Sequence, residues 1–335
     1  MSRQYSAFGI GLAAAFLLVS TAGHAGSIAD RETLRQELRA LADRHPGRVG
    51  ICAQDEQSAP VCVNGDERFP LQSVMKLVVG AAVMAAADGE QLSLNETVTI
   101  KREDLSVFVQ PIEKIVAAKG SFTTTIKDLV RRAVAESDST ATDVLIARLG
   151  GPGAVQRFLV QRGIQGIRID RDERQLQADI SGLSWDPDYV FPGKFAAARK
   201  AVPDSARDTA YRAYMRDERD TATPKGMTAF LHALVTGKLL SPPSTDSLLA
   251  IMSQTVTFPD RLRAGVPAGW TVSHKTGTSP NWRGISAATN DVGVLTAPDG
   301  SPIAITAFVA DSQAPMKARA ALIAAAARAV TERYR

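Results

Sequence analysis

The sequence predicts an α/β plus all-α architecture: an antiparallel five-stranded sheet flanked by terminal helices, with a helical lobe between its strands. Three observations predict it. Strand-like runs occur only near the two ends of the chain, two early and three late. The stretch between them, from Ser73 to about residue 250, is mostly helical in its apolar spacing. The first and last segments of the folded part are themselves helical in pattern, which gives the sheet a cover.

The chain opens on one basic residue, Arg3, then an apolar run from Phe8 to Ala22 and the small-residue stretch Ala22-Gly23-His24-Ala25-Gly26-Ser27. That layout predicts a secretory signal peptide over residues 1–25, cut after Ala25. The run is short for a membrane span, and nothing later approaches spanning length. The expected location is therefore periplasmic or secreted, with no membrane contact after cleavage. Losing Arg3 lowers the formal charge from +4 to +3. So small an excess, spread along the chain, argues against a nucleic-acid partner.

From Arg31 to His45, Leu34, Leu38 and Leu41 share one helical face. Two strand-like runs follow around Cys52 and Cys62, separated by a short polar turn. If the hairpin centres near Gln57 the two cysteines lie opposite each other. An exported compartment lets such a pair bond; otherwise they are two buried thiols. The helical stretches are 73–88, 126–135, 140–149, 153–162 and 225–237. Strands return at 270–276, Ile285–Thr296 and Pro302–Ala310, the last two joined by the turn Ala297-Pro298-Asp299-Gly300. Alanine-rich Lys317–Arg335 closes the chain as a helix. The expected division is 26–68 with 254–335 as the sheet-bearing part and 69–253 as the helical part.

Chemistry enters at Ser73-Val74-Met75-Lys76, which heads a segment apolar all round and so reads as a buried helix. Serine and lysine three apart share a face of that helix. Its start favours developing negative charge on Ser73, and burial favours a neutral amine on Lys76. That is an activated nucleophile without a histidine. Ser137-Asp138-Ser139 follows a helical stretch, and Trp270–His274 reads as a strand running into Lys275-Thr276-Gly277-Thr278. Singly each has a bland explanation in loop, cap or strand-end chemistry. In this order they resemble the three-part signature of the penicillin-recognising serine enzymes. Arg171-Asp172-Glu173-Arg174-Gln175-Leu176-Gln177 resembles the opening of the Ω-loop of class A β-lactamases. Arg219-Asp220-Thr221-Ala222-Thr223-Pro224, with Met227, resembles its far end. The likeness covers nearly the whole mature chain and identifies it as a relative of that class.

The resemblance implies an activity: opening of the β-lactam ring through an acyl-enzyme on Ser73. Lys76 becomes the proton-transfer partner, Ser137 the relay to the departing nitrogen, and Lys275 the cation that attracts the substrate carboxylate. Glu173 becomes the base for the deacylating water, and either Glu173 or Lys76 the base for acylation. Backbone N–H groups of Ser73 and Thr278 form the implied oxyanion hole. Thr276 and Thr278 offer hydroxyls to the carboxylate, Arg261 a second cation, and Phe108, ahead of Pro111, an aromatic wall. Arg171 and Asp220 are the implied clamp of an Ω-loop spanning 171–220. No cofactor and no metal are expected, since His45, His232 and His274 lack ligand spacing. The expected partner is a small β-lactam, and the expected state a monomer. A D-alanyl-D-alanine peptidase or esterase shares Ser73, Lys76, Ser137 and Lys275 but lacks the deacylating glutamate. A slowly turning-over β-lactam-binding protein is the reading from outside enzymology.

Three departures from the family pattern stand out. Ser139 replaces the usual asparagine, so its contact to the acylamide carbonyl falls to a shorter hydroxyl. Gln177 stands where asparagine helps hold the hydrolytic water. Between Gln177 and Asp217 thirty-odd residues are inserted, with Trp185, Tyr189, Phe191, Phe195, Tyr211 and Tyr214 and helix-like stretches at Lys194–Val202 and Ser205–Arg216. Such aromatic density predicts a packed excursion.

Overall fold

The computed structural model describes residues 1–2 and 27–334; the predicted signal peptide and its cleavage site lie outside the described residues. Five strands form one antiparallel sheet in the order β2 (Val61–Val63), β1 (Arg48–Asp55), β11 (Pro302–Ala310), β10 (Thr289–Thr296), β7 (Thr271–Thr278). Both faces are covered, so β11 reads as an almost continuous apolar run and β10 is buried along nearly its whole length. Ile303, Ile305, Ala307 and Val309 face the terminal helices α1 (Arg31–Asp43) and α13 (Met316–Glu332). Ala304 and Phe308, one residue out of phase, join the second core beneath the helical lobe. Cys52 and Cys62 sit directly opposite across β1 and β2 and are disulfide-bonded.

The lobe is organised around α2 (Met75–Asp88), in which every residue from Met75 to Met84 is buried. It is wrapped by α4 (Ile126–Ala135), α5 (Ser139–Leu149), α6 (Pro152–Gln161) and α11 (Pro242–Ser253), while α10 (Pro224–Val235) lies on the sheet. Starts are set by side-chain caps. Thr125, Asp138, Thr223 and Ser241 each accept from a backbone N–H of the first turn, a contact worth about 1 kcal/mol.

Several expectations are corrected. The stretch 69–253 is not purely helical. It holds the pair β4 (Thr97–Ile100) and β5 (Phe122–Thr125), where Val98 and Ile100 are buried in alternation with exposed threonines, and the short α3 (Ile112–Lys119). It also holds β3 (Phe69–Pro70) paired with β6 (Thr221–Ala222). The run Ile285–Thr296 is not one strand. β8 (Asn281–Trp282) and β9 (Ile285–Ser286) close a hairpin over Arg283 and Gly284, both at positive φ, and only from Thr289 does β10 join the sheet. The single turn α12 (Leu262–Gly265) precedes β7. The Ω-segment opens on α7 (Glu173–Ile180), which runs three residues past Gln177. It contains α8 (Lys194–Ala201) and α9 (Asp204–Arg216).

Candidate active site

Ser73 lies in a tight turn, Gln72–Val74, between β3 and α2. The turn is pinned from three sides. Leu71 N–H donates to Asp220 O (2.9 Å), and Asn290 Nδ2 on β10 donates to Pro70 O (2.7 Å) and Leu71 O (3.1 Å). From the third side Gly277 comes so close that a Cβ there would lie 2.5 Å from Leu71 O, which is why the Lys-Thr-Gly strand needs its glycine. Gln72, just before Ser73, has φ 49°, a strained value for a side chain of its size.

Around Ser73 the fold gathers Lys76, Ser137, Ser139, Glu173 and Lys275. Lys76 Nζ donates to Ser137 O (2.6 Å) and Ser139 Oγ (3.0 Å), and lies 3.4 Å from Glu173 Oε1. It makes no hydrogen bond to Ser73, whose own contact was the one expected from sequence. Such contacts are often loose before substrate binds. Burial of Lys76 was foreseen; its ion pair was not. Ser137 sits at φ 61° just before the Asp138 cap, a left-handed turn that aims Oγ at Lys275 Nζ (3.1 Å). Burial, reinforced by the nearby Lys76 charge, pushes the Lys275 ammonium well below its usual pKa, against Glu173 and Asp291.

Glu173 opens α7, whose cap is Asp172. Its Oε2 accepts from Ser139 Oγ (3.3 Å) and Gln177 Nε2 (3.4 Å), so both departures from the family pattern touch this carboxylate. Arg171 and Asp220 meet at the neck of the loop, Nε to Oδ2 2.6 Å, and Asp179 (2.6 Å) and Asp217 (3.2 Å) share the same guanidinium. Burial opposes the Arg171 charge, and these carboxylates together outweigh it. A second Arg-Asp-Thr, Arg207-Asp208-Thr209, takes no part in this clamp: Asp208 meets Arg212 Nε (2.8 Å) and Trp282 Nε1 (3.2 Å) instead.

The cleft encloses about 280 Å³ and is lined by Ser73, Ser137, Ser139, Glu173, Gln177, Thr276 and Thr278, with Phe108 at its edge. Arg261 is not on a surface ion pair. It is fully buried behind β7, donating to Asn290 O (2.8 Å) and Thr278 Oγ1 (2.7 Å), with burial lowering its pKa to about 10. Thr276 Oγ1 is hydrogen-bonded to Thr257 Oγ1 (2.6 Å).

Four neighbours escaped the sequence reading. Asn290 holds the nucleophile's turn. Gln72 Nε2 donates to the Tyr214 hydroxyl of α9, and Gln177 Nε2 reaches Gln72 Oε1 at 3.4 Å, so a polar thread joins the insertion to Glu173. Asp143 Oδ1 accepts the Glu173 N–H at 2.7 Å. Burial raises the Asp143 pKa to about 8, with the charges of Asp172 and Glu173 adding to it. Arg174 Nε, 3.7 Å from Oδ2, does not offset this. One signal for Asp143 existed: it lies four residues beyond Ser139, on the same face of α5.

A helix headed by Ser73 and Lys76, facing a sheet strand that carries Lys275-Thr276-Gly277, with Ser137 between, defines the penicillin-recognising class of serine enzymes. The profile described as "Beta-lactamase enzyme family" matches residues 33–334. Beta-lactamase VEB-1 of Pseudomonas aeruginosa is 31% identical over 290 residues, 86% of this chain and 85% of that protein. Extended-spectrum beta-lactamase PER-1 of the same organism is 30% identical over 93% of this chain and 90% of its own length. The crystal structure of a beta-lactamase from Chitinophaga pinensis DSM 2588 superposes with a TM-score of 0.73 at 29% identity, covering 90% of this chain and 98% of that one. The chain thus belongs to the β-lactamase enzyme family, class A.

Proposed function

We propose that the enzyme hydrolyses β-lactams in two steps, through an ester on Ser73 that Glu173 helps water to cleave. The observation that carries the reading is the contact network of Lys76, Ser139 and Glu173, which sets a carboxylate, an amine and a hydroxyl at one buried point of the cleft that Ser73 lines. In the first step Ser73 Oγ attacks the lactam carbonyl, and its proton passes to the Lys76–Glu173 pair. The oxygen's developing charge is met by the N–H groups of Ser73 and Thr278. Ser137, hydrogen-bonded to Lys275, delivers a proton to the departing nitrogen and recovers one from the Lys76–Glu173 pair, which returns to its starting state. In the second step water, deprotonated by Glu173 and positioned with Gln177, attacks the ester, and the proton taken up by Glu173 passes to the leaving Ser73 Oγ. Thr276, Thr278 and the buried cations Lys275 and Arg261 hold the substrate carboxylate, Arg261 acting through the Thr278 hydroxyl.

The peptidase reading is disfavoured because Glu173 lies within the network. Export, a monomeric state and freedom from the membrane complete the proposal; among the described residues no helix is long and apolar enough to cross a membrane. Hydrolysis assays against one penicillin, one cephalosporin and one carbapenem test it. Turnover of none, with a stable acyl-protein seen by mass spectrometry, would make the protein a β-lactam binder instead.

A further inference from the structure

Beside the cleft, and sharing Phe108 with it, lies a second cavity of about 270 Å³ roofed by the inserted segment. Its walls include Phe108, Tyr189, Phe191, Phe195, Arg199 and Glu113. The rings form an edge-to-face chain: Phe108 to Phe195 at 6.0 Å, Phe195 to Tyr189 at 5.3 Å, and Tyr189 to Trp185 at 5.7 Å. Phe108 is held at φ 68°, a backbone conformation that costs of order 1–3 kcal/mol and persists only where its surroundings impose it. Arg199 lies over the Phe108 ring at 4.9 Å and over Phe195 at 5.8 Å. Its Nε is buried without a hydrogen-bond partner, and no carboxylate of the described residues lies within ion-pair distance of it. The only other charge on the cavity wall is Glu113, whose Oε2 takes a 3.5 Å contact from Gln110 Nε2.

A half-buried guanidinium stacked on two rings and lacking an anion is poised for one, because a charge-assisted hydrogen bond strengthens as water is excluded. The position says which anion. In a penicillin or cephalosporin the ring carboxylate and the acylamino substituent leave opposite ends of the fused nucleus. Phe108 lines both the cleft that holds Ser73, Thr276 and Thr278 and this second cavity, so a substituent that leaves the cleft past Phe108 enters it. We infer that the inserted segment builds a side-chain subsite in which Phe108 and Phe195 take an aromatic group of the acylamino substituent and Arg199 takes a carboxylate on it. The inference rests on the proposed hydrolysis and adds a substrate class to it: β-lactams with an anionic side chain.

Benzylpenicillin and carbenicillin form the test pair, since they differ only by a carboxylate on the side-chain carbon. Arg199→Met keeps the stem that packs on the rings and removes the charge. We expect R199M to lower kcat/KM for carbenicillin about tenfold or more, as loss of a charged hydrogen bond does, while benzylpenicillin changes by less than about twofold. Equal loss on both substrates, or no loss on either, overturns the subsite. E113Q provides a second route that leaves Arg199 in place: removing the cavity's own negative charge, which repels an incoming anion, should raise the carbenicillin-to-benzylpenicillin ratio about two- to fivefold. An unchanged ratio counts against the proposal even if R199M fails to fold. Wild-type protein that hydrolyses neither compound overturns the underlying activity, an outcome distinct from equal sensitivity of the two substrates.

Discussion

The cleft around Ser73 and the segment 181–217 beside it are built on opposite plans. Groups in the cleft come from buried, well-anchored elements: the start of the buried helix α2, the capped start of α5 and the sheet strand β7. Lys76 and Lys275 are fully buried, and Glu173 is 2% exposed. The segment 181–217 leaves much of its outer surface open and is tied down at a few points. Tyr211 and Tyr214 of α9 are buried, whereas Phe191 remains 47% exposed. The Tyr211 hydroxyl meets Pro280 O at 2.6 Å and accepts from Ala287 N–H at 2.9 Å, beside the β8–β9 hairpin. Tyr214 reaches Gln72, next to the nucleophile. The groups around Ser73 are buried at element starts, while the added segment contributes a wall and is held by its tyrosines and by packing of Phe195 on Phe108.

That contrast orders the experiments, and the first tests the rigid side. Ser73→Ala removes one oxygen from a turn held by backbone contacts, so folding should survive while hydrolysis falls by far more than about 10²-fold. Residual turnover of one per cent, read in a spectrophotometric assay, would mean that another group is the nucleophile. Next comes Glu173→Gln, which keeps the side chain's size and its place beside Ser139 but removes its basicity. The ester should form and persist, giving added mass equal to the β-lactam, with deacylation slowed about 10²- to 10⁴-fold. Deacylation at the wild-type rate would leave the loop base without its assigned role.

Tyr214→Phe asks whether the two regions are coupled. It deletes the hydroxyl that accepts from Gln72 and leaves a buried amide donor unmatched, at about 1–3 kcal/mol. Because Gln72 touches Gln177 and Gln177 touches Glu173, deacylation should slow about two- to tenfold and acylation hardly at all. Rapid-mixing measurement of both steps decides: equal losses in the two would make Tyr214 a packing residue only.

The chemistry was legible in the sequence because each group that reacts comes with a short motif fixed to the start of a helix or a strand end. Ser73-x-x-Lys76 needs one helical turn, and Lys275-Thr276-Gly277 needs one strand beside another backbone. Partners that arrive from afar were not legible. The Asn290 contact depends on the β10–β7 register, and the link from Tyr214 to Gln72 spans 142 residues. Helix 73–88 and strand 302–310 could be placed because their apolar runs are long. Strand β9 could not, because two residues carry no period and the turn at Arg283-Gly284 overrides the apolar pattern after it.

The smallest effect on turnover is expected at Asp143, which supports Glu173 from behind without facing the cleft. Its Oδ1 accepts the Glu173 N–H, and an asparagine oxygen can accept the same bond, so Asp143→Asn preserves the geometry. What changes is the charge. Burial first, then Asp172 and Glu173, lift the Asp143 pKa from 3.8 to about 8, so the folded protein keeps this proton where the unfolded chain has lost it. A raised carboxyl contributes stability that is complete below about pH 4 and declines as pH climbs through about 8. Asparagine has no proton to lose and escapes that decline. The variant should therefore match wild type at pH 4 and unfold several degrees higher at pH 8, since each kcal/mol moves Tm by roughly 2–4 °C in a chain of this size. Calorimetric scans at the two pH values check it. A gain of equal size at both would show that Asp143 is already ionised at pH 4. A loss at pH 8 would show that its charge supports the Glu173 turn, making the rigid cleft dependent on a buried anion.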